Sequence, residues 1–484
     1  MLAAPPGVTL EAETSFGRAL TARRWRLANG LGVIAVVDRS APIIAYQTWF
    51  RVGSRHEQVG QTGMAHLFEH LMFNQTESLA PGDFDRVVER TGGESNAATW
   101  CDWTQYRLAL PARELALAVR LESERMSRLV LTPATVEPER DVVTNERRER
   151  VEDDVDGWLD EQLMATAFEV HPYRWPTIGW MADIRAMTLE QIQRFYRTWY
   201  APNNATVVVV GDVDEGELLA QIVAGYGHLP PATLPASVEV TEPRQERERL
   251  RRRPRPIASD RVLMGWKAVG QAHPDWAVLE LLTTLLAGSP SGRLHRTLVI
   301  ERELASSVDV QLTPFRDPSL LRVAVTCARG HTAEEAVTAI DGVIAQLAAE
   351  GPSPRELEKA KNLVETDFWA SLVDAEGKAE ALGHHETALG DFRSLFELGA
   401  RLAAVTADDL KRVIATYLVP TARTTIIAEP DGSESDDGDA DGDDDAGGEV
   451  GDTSGLEDGL VVEGDPAELD GHGHGHGHGH GGAA

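Results

Sequence analysis

Hydrophobic positions in the first half of the chain follow two patterns, short apolar or alternating runs and longer amphipathic stretches of helical period. The short runs predict four strands, at residues 24–27, 33–37, 43–52 and 204–211. The amphipathic stretches predict three helices, at residues 115–126, 135–151 and 158–168. Asn29 and Gly30 lie between the first two strands and form a dipeptide typical of a tight hairpin turn. The pattern therefore predicts an α+β fold.

One segment of this pattern occurs twice. Residues 188–202 and 406–420 each begin with Thr, continue as an amphipathic helix and end at Pro, and a β-branched strand follows. Thr favours the start of a helix, because its hydroxyl can accept a hydrogen bond from a free backbone N–H group. The copies are 218 residues apart, so we predict a duplicated α+β domain of roughly 200 residues.

The predicted organisation has five parts. They are a lead-in at residues 1–20, a first domain at 21–229, a linker at 230–256, a second domain at 257–430 and a tail at 431–484. The lead-in lacks strong periodicity, and we expect it to be loose. The tail is rich in Asp, Gly, Ser and Glu and ends in five His-Gly repeats. It cannot bury enough apolar surface to offset the entropy lost on ordering, so we expect disorder.

Charge is distributed unevenly along the chain. Of the net charge of −31, residues 431–470 supply −17, since they contain 17 Asp and Glu and no Lys or Arg. The remaining −14 argues against nucleic acid as a partner. The basic run at residues 244–255 is interleaved with Glu, and we interpret it as a solvated linker and edge strand.

Location is predicted from three further features. No apolar run approaches the roughly 20 residues of a membrane span, so no membrane contact is expected. The N-terminus has no basic region followed by an apolar stretch, which argues against a secretory signal. The two cysteines, Cys101 and Cys327, cannot form a disulfide framework and favour a reducing compartment. We therefore expect a cytoplasmic protein.

Candidate chemistry centres on His66, Glu69 and His70. The histidines are four residues apart, so on a helix both imidazoles project from one face, which Glu69 shares. Two neutral imidazoles can bind zinc, and a carboxylate beside them can act as a base toward water. A third ligand could come from Glu139 or Glu146 on a charged predicted helix. Such helices more often have a solvated face, so spacing alone leaves the third ligand open.

Histidines also occur together in the second half of the chain. His384 and His385 precede Glu386, but adjacent residues face different sides of a helix and lack ligand spacing. We therefore expect this cluster to lie at the surface without a metal role.

The chain resembles the pitrilysin-type inverzincins, a zinc metallopeptidase family that includes insulin-degrading enzyme and the mitochondrial processing peptidase. The family pattern is His-x-x-Glu-His, followed about 75 residues later by a zinc-binding Glu. Here Glu146 follows His70 by 76 residues, within a Val-x-Asn-Glu-Arg-Arg string. The resemblance covers residues 20–430 approximately and is greatest to the zinc-bearing beta subunit of bacterial peptidases similar to the processing peptidase.

This resemblance implies a set of site residues. It implies His66, His70 and Glu146 as the ligands of a Zn²⁺ cofactor and Glu69 as the general base toward water. It implies that Glu139 lies near the metal and contacts one of the residues that bind it, without binding the metal itself.

The resemblance also implies a fold and a substrate. Each domain would be a mainly antiparallel sheet flanked by helices, and the chain would form one half of a clamshell peptidase chamber. Residues 92–99 match the family's substrate-binding edge strand, and the implied contacts are Asn96, Ala97, Ala98 and Thr99. A peptide would dock there as an added strand, so extended or unfolded peptides are the expected substrates.

The second half departs from the family pattern in one place. After the Ser-x-Arg-Leu string at residues 291–294, the family has an Arg and a Tyr that bind substrate and stabilise the oxyanion. The corresponding residues here are Val299 and Ser306, which supply neither a cation nor a phenol. In one interpretation, this chain is the catalytic subunit of a heterodimer, and a homologous subunit without zinc ligands supplies both groups. In another, it works alone or as a homodimer with weaker transition-state stabilisation.

The sequence therefore predicts a zinc metalloendopeptidase, with the heterodimer as the favoured form. The alternative is a non-catalytic structural or assembly subunit on the same fold. The missing Arg and Tyr favour that alternative, whereas the complete ligand set argues against it.

Overall fold

The computed structural model of the chain describes residues 5–236 and 239–433. The predicted tail lies outside the described residues from residue 434 onward, as do residues 1–4 of the predicted lead-in. The described residues form a seven-stranded and a five-stranded sheet, both mainly antiparallel and flanked by helices. The predicted α+β fold is therefore confirmed. None of the described helices is both long and apolar enough to cross a membrane.

The first sheet and its helices come from the first half of the chain. The strands are β1 (Val8–Phe16), β2 (Leu20–Leu27), β3 (Gly32–Val37), β4 (Ile43–Phe50), β5 (Glu94–Thr99), β6 (Thr104–Pro111) and β7 (Ala205–Gly211). The helices are α1 (Met64–Leu71), α2 (Asp83–Arg90), α3 (Leu115–Ser127), α4 (Pro133–Arg147), α5 (Val155–Ala167), α6 (Met181–Ala186), α7 (Leu189–Trp199) and α8 (Glu215–Tyr226). The strand order is β1-β2-β3-β7-β4-β6-β5, and β3 pairs with β7 in parallel.

The second half repeats this arrangement with fewer strands. They are β8 (Arg249–Arg255), β9 (Arg261–Lys267), β10 (Ala305–Leu312), β11 (Leu320–Cys327) and β12 (Arg423–Pro430). The helices are α9 (Trp276–Ala287), α10 (Arg293–His295), α11 (Ala333–Glu350), α12 (Pro354–Ser371), α13 (Ala375–Leu389), α14 (Leu398–Ala404) and α15 (Ala407–Tyr417). The strand order is β10-β11-β9-β12-β8, and β8 pairs with β12 in parallel.

The internal repeat relates elements of the two halves. The predicted copies correspond to α7 and α15, whose capping residues Thr188 and Thr406 each accept a backbone hydrogen bond at the helix start. An interior strand follows each helix, β7 in one sheet and β12 in the other. Strand β8 lies within residues 230–256, predicted as the linker, and is the counterpart of β3. The basic run was expected to form an edge strand, and β8 is one. The other predicted domain boundaries stay a prediction.

The structure corrects the expectation of a loose lead-in. Strand β1 lies in this segment and pairs with β2 at the edge of the first sheet. Its buried positions are Val8, Ala12 and Phe16. A β-bulge between Leu10 and Ala12 interrupts the strand alternation, so Val8 packs in one hydrophobic cluster and Ala12 and Phe16 pack in another. An interrupted alternation leaves no regular strand signal in the sequence.

The two halves exchange one helix each. Helix α5, from the first half, packs on β9 and β12, while α13, from the second half, packs on β4 and β7. The cluster of His384, His385 and Glu386 lies on α13 and is buried, which corrects the expectation of a surface location. The Glu386 carboxylate accepts hydrogen bonds from Arg24 and Arg51 of the first half, so protein partners replace solvent.

Candidate metal centre

Helix α1 begins where two backbone segments meet closely. Gly63 precedes the helix and Gly179 lies opposite, with φ of 90° and 86°. A Cβ on Gly63 would lie 2.5 Å from the carbonyl oxygen of Ile178, and one on Gly179 would lie 2.4 Å from that of Thr62. Only glycine fits either position. The Glu57 carboxylate accepts hydrogen bonds of 2.8 Å from two N–H groups at the helix start, which fixes this end of the helix.

The sequence of α1 orients its two histidines. Leu67, Phe68 and Leu71 are buried in the core of the first half. His66 and His70 are one helical turn apart and lie on the side of α1 that contacts α4. Their ring centroids are 5.0 Å apart. The structure thus brings both imidazoles to one face of the helix.

Helix α4 supplies the third donor. It begins at Pro133, a position where the missing N–H group costs no helical hydrogen bond. Val136 and Val143 are buried against the core and fix the rotation of the helix. Glu139 and Glu146, also seven residues apart, consequently share a face that contacts the histidines of α1.

Three donor atoms converge between α1 and α4. Oε2 of Glu146 lies 3.5 Å from Nε2 of His66 and 3.2 Å from Nε2 of His70, and all three lie within 4.8 Å of one another. Tetrahedral zinc with bonds of about 2.0–2.1 Å separates its ligand atoms by about 3.3–3.4 Å, which agrees with both distances. Oε2 is buried and has no aligned hydrogen bond within residues 5–236 and 239–433. Two imidazole nitrogens and one carboxylate oxygen therefore fit a zinc ion.

The pKa shifts of His66 and Glu146 suit a cation, whereas that of His70 reflects its contact with Glu146. Burial lowers the pKa of His66, which favours the neutral imidazole that can donate a lone pair. Burial acts the same way on His70, but contact with Glu146 outweighs it and raises the pKa of His70. Burial alone would raise the pKa of Glu146, whereas its contacts with His70 and His66 lower that pKa to about 2. Glu146 is therefore ionised at neutral pH, as a metal ligand must be.

Two further carboxylates lie beside the ligands. Glu69 is half-buried on α1, and its negative charge acts on both histidines. Oε1 of Glu139 accepts a hydrogen bond of 3.1 Å from Asn74, and its Oε2 lies 4.0 Å from Nδ1 of His70. Nδ1 is the ring nitrogen away from Glu146, so Glu139 and Glu146 lie on opposite sides of the His70 ring.

The sequence-predicted substrate strand is β5, at the edge of the first sheet. Asn96, Ala97, Ala98 and Thr99 pair with β6 on one side, and among the strands of the described chain none pairs with the other side. Strand β5 also contacts α1, so the open edge lies beside the helix of the histidines. The N–H group of Ala97 donates to Oδ1 of Asn96 at 2.8 Å, so it points away from β6.

Sequence reasoning missed three residues that support the centre. Nη1 of Arg150 lies 3.1 Å from Oε1 of Glu146, and the spacing of four residues on a predicted helix could have indicated this pair. Glu57 and Asn74 lie outside the helices, and their contacts depend on how distant segments fold around α1. The sequence contains no local signal for them.

The residues at the family's Arg and Tyr positions lie in the second half. Val299 is half-buried and packs against the core, in the helical turn that follows α10. Ser306 is exposed on the edge strand β10, and its hydroxyl donates to the carbonyl oxygen of Thr326 at 3.3 Å. Neither position presents a cation or a phenol.

Comparison with known proteins identifies the family. The family model described as "Insulinase (Peptidase family M16)" matches residues 33–179, and "Peptidase M16 inactive domain" matches residues 186–364. The zinc protease PqqE of Helicobacter pylori is 31% identical over 413 residues, which are 84% of this chain and 92% of that protein. The chain belongs to peptidase family M16. All three converging donors lie within the first M16 region.

Other M16 proteins support the same assignment. The crystal structure of a protease from Helicobacter pylori aligns with a TM-score of 0.82 and 30% identity, over 84% of this chain and 99% of that chain. The mitochondrial-processing peptidase subunit beta of Blastocladiella emersonii is 25% identical over 406 residues, which are 81% of this chain and 85% of that subunit. The resemblance to the pitrilysin-type peptidases is therefore confirmed.

Proposed function

We propose that this M16 chain is a zinc-dependent endopeptidase that cleaves extended or unfolded peptides. The observation that carries the proposal is the convergence of the donor atoms of His66, His70 and Glu146 within 4.8 Å, beside Glu69. The zinc proteases among its relatives support the same reaction class.

The proposed mechanism assigns a role to each carboxylate. Bound zinc would polarise the scissile carbonyl and lower the pKa of water. Glu69 takes the proton from the attacking water and passes it to the leaving amine. Glu139, held by Asn74, orients the ring of His70. Arg150 balances the charge of Glu146 at the oxygen that faces away from the histidines.

The proposed substrate site is the open edge of β5. A peptide that pairs with Asn96–Thr99 is held through main-chain hydrogen bonds, which select side chains only loosely. The peptide must be extended to pair in this way, so folded proteins are poor substrates. The contact between β5 and α1 supports this choice, because α1 carries Glu69.

We further propose that the chain is the catalytic subunit of a heterodimer. Val299 and Ser306 support this proposal, because oxyanion stabilisation needs donors that these two side chains lack. A homologous subunit without zinc ligands would supply the missing Arg and Tyr. The same two residues favour the second candidate function, a non-catalytic assembly subunit, while the complete ligand set favours catalysis.

Replacement of Glu69 tests the proposed chemistry. Glu69→Gln should keep one zinc ion per chain and lose at least about 100-fold in kcat on an internally quenched peptide, the scale of general-base catalysis. Glu137→Gln is a matched control, since Glu137 is exposed on α4 and pairs with Arg140. Full hydrolysis by the zinc-loaded Glu69→Gln protein would rule out its role as base.

A mixing experiment tests the heterodimer. The purified chain should hydrolyse peptides slowly alone, and addition of a homologue that carries the Arg and Tyr should raise kcat/KM by about 100-fold or more, as expected for oxyanion donors. The same addition to the Glu69→Gln chain should have no effect. Equal rates with and without any such homologue would exclude the required partner.

A further inference from the structure

Strand β8 is strongly basic, although the chain as a whole is acidic. Five of its seven residues are Arg. Alternate residues of an extended chain share a face, so Arg251 and Arg253 of β8, and Arg247 two residues before it, extend along one side toward α5. Arg249 lies between them and is already bound to the last carbonyl groups of α5. We call Arg247, Arg251 and Arg253 the arginine edge.

The charges of the arginine edge have no acidic partner in the described part of the chain. Arg251 donates to the amide oxygen of Gln162, and no carboxylate of residues 5–236 or 239–433 pairs with any member of the edge. The neighbouring Arg252, on the other face, pairs with Glu334 and Glu429. Two open grooves, of about 570 and 390 Å³, follow the strand and are lined by the arginine edge. Space and charge are thus both available for an acidic occupant.

The chain leaves the second sheet beside this edge. Pro430 is opposite Arg255 in the parallel pair of β12 and β8, and the N–H group of Asp431 donates to the carbonyl oxygen of Arg255 at 2.9 Å. Residues 434–445 follow directly and contain eight Asp and Glu and no basic residue. Seven strand residues extend about 23 Å, whereas twelve extended residues span up to about 40 Å. This acidic segment is therefore long enough to cover the whole edge.

We propose that residues 434–445 bind the arginine edge of the same chain and cover it. A short tether gives an effective concentration of about millimolar, so weak individual ion pairs suffice. Pro254 lacks an N–H group, and Asp and Gly are poor strand formers, so the contact uses side-chain charges rather than strand pairing. Guanidinium–carboxylate pairs of this kind are screened by salt, over about 10 Å at 0.1 M and about 3 Å at 1 M.

Covering the edge would exclude other polyanions from it. Arg255, at the end of β8, donates to the carbonyl oxygen of Glu152, which lies six residues after Glu146. An exposed arginine strand at this place would attract nucleic acid or acidic peptides. The acidic segment competes with them from within the chain. This inference does not depend on peptidase activity.

Arginine-specific labelling of the full-length chain tests the proposal. Phenylglyoxal reaction at the arginine edge is followed by mass spectrometry, with the exposed Arg120 as an internal reference. One variant replaces the eight Asp and Glu of residues 434–445 by Asn and Gln. A matched variant neutralises the eight Asp and Glu of residues 449–470, so both lose the same charge. In dilute buffer, the edge should react about five- to tenfold more slowly in the native chain and the matched variant than in the first variant.

The outcomes separate the possible occupants. Protection that disappears in 1 M salt and in the first variant supports the proposal. Equal labelling of the native chain and the first variant would overturn it. Protection that increases with protein concentration would overturn the proposal in favour of the tail of a second copy. An equal loss of protection in both variants would exclude residues 434–445 as the specific segment. A native chain that binds heparin as tightly as the first variant would show that the edge is not covered.

Discussion

Glu139 lies beside His70, on the side of the ring away from Glu146. Its Oε2 atom is 4.0 Å from Nδ1 of His70, and its Oε1 atom is held by Asn74. A carboxylate in this place fixes the ring orientation and raises the basicity of the nitrogen that binds the metal.

The structure therefore predicts an effect of Glu139 on zinc affinity. Glu139→Gln should weaken zinc binding by about 10- to 100-fold, the usual cost of losing such a partner, without removing the site. Competition with a chromophoric chelator measures the affinity at fixed pH. Glu137→Gln, two residues away and solvent-exposed, should bind zinc as the native chain does. Unchanged affinity in Glu139→Gln would contradict the orienting role.

Some residues of this site could be predicted from local spacing, whereas the position of Glu146 depends on tertiary packing. The shared face of His66, Glu69 and His70 follows from the helical period alone, so the sequence could predict it. Glu146 is 76 residues further along, and spacing left it open, because its position depends on how α4 packs against α1. The family resemblance supplied what periodicity could not.

Strand β5 combines an open edge with a position beside helix α1. The N–H group of Ala97 points to this edge and is occupied by the side chain of Asn96. A peptide that pairs with β5 can take over this donor. Edge strands are usually protected against pairing with other chains. The open edge of β5 therefore fits the proposed pairing with a peptide.

Removing this donor should weaken peptide binding. Ala97→Pro deletes the outward N–H group, and proline is tolerated at an edge strand because its ladder side is unaffected. Loss of one hydrogen bond of about 1 kcal/mol should raise KM for a long peptide about fivefold, with the zinc content unchanged. Ala97→Ser keeps the N–H group and serves as the matched control. Steady-state kinetics that show equal KM values for both variants would exclude strand addition at Ala97.

The exchange of α5 and α13 joins the two halves of the molecule. Leu163 of α5 is fully buried, and a Cβ on Gly265 of β9 would lie 3.0 Å from its side chain. His384, His385 and Glu386 of α13 are also buried, and Glu386 accepts hydrogen bonds from Arg24 and Arg51 of the first half. The sequence could predict these helices from their periodicity, but periodicity gives the apolar face and not the sheet that covers it. The cluster on α13 was expected at the surface because adjacent histidines face different sides of a helix, and that pattern says nothing about what packs over the helix.

Because each half covers the other's sheet, we expect the halves to unfold together. Leu163→Ala removes a buried side chain from α5 and should destabilise the protein by about 2–5 kcal/mol. Denaturation should remain a single transition, and hydrogen exchange should show β4 and β9 losing protection by equal amounts, although Leu163 packs in a cluster with residues of the second sheet and not of β4. Val170→Ala, at an exposed position near the same helix, should change stability by less than about 0.5 kcal/mol. Loss of protection confined to β9 would show that the halves fold independently despite the exchange.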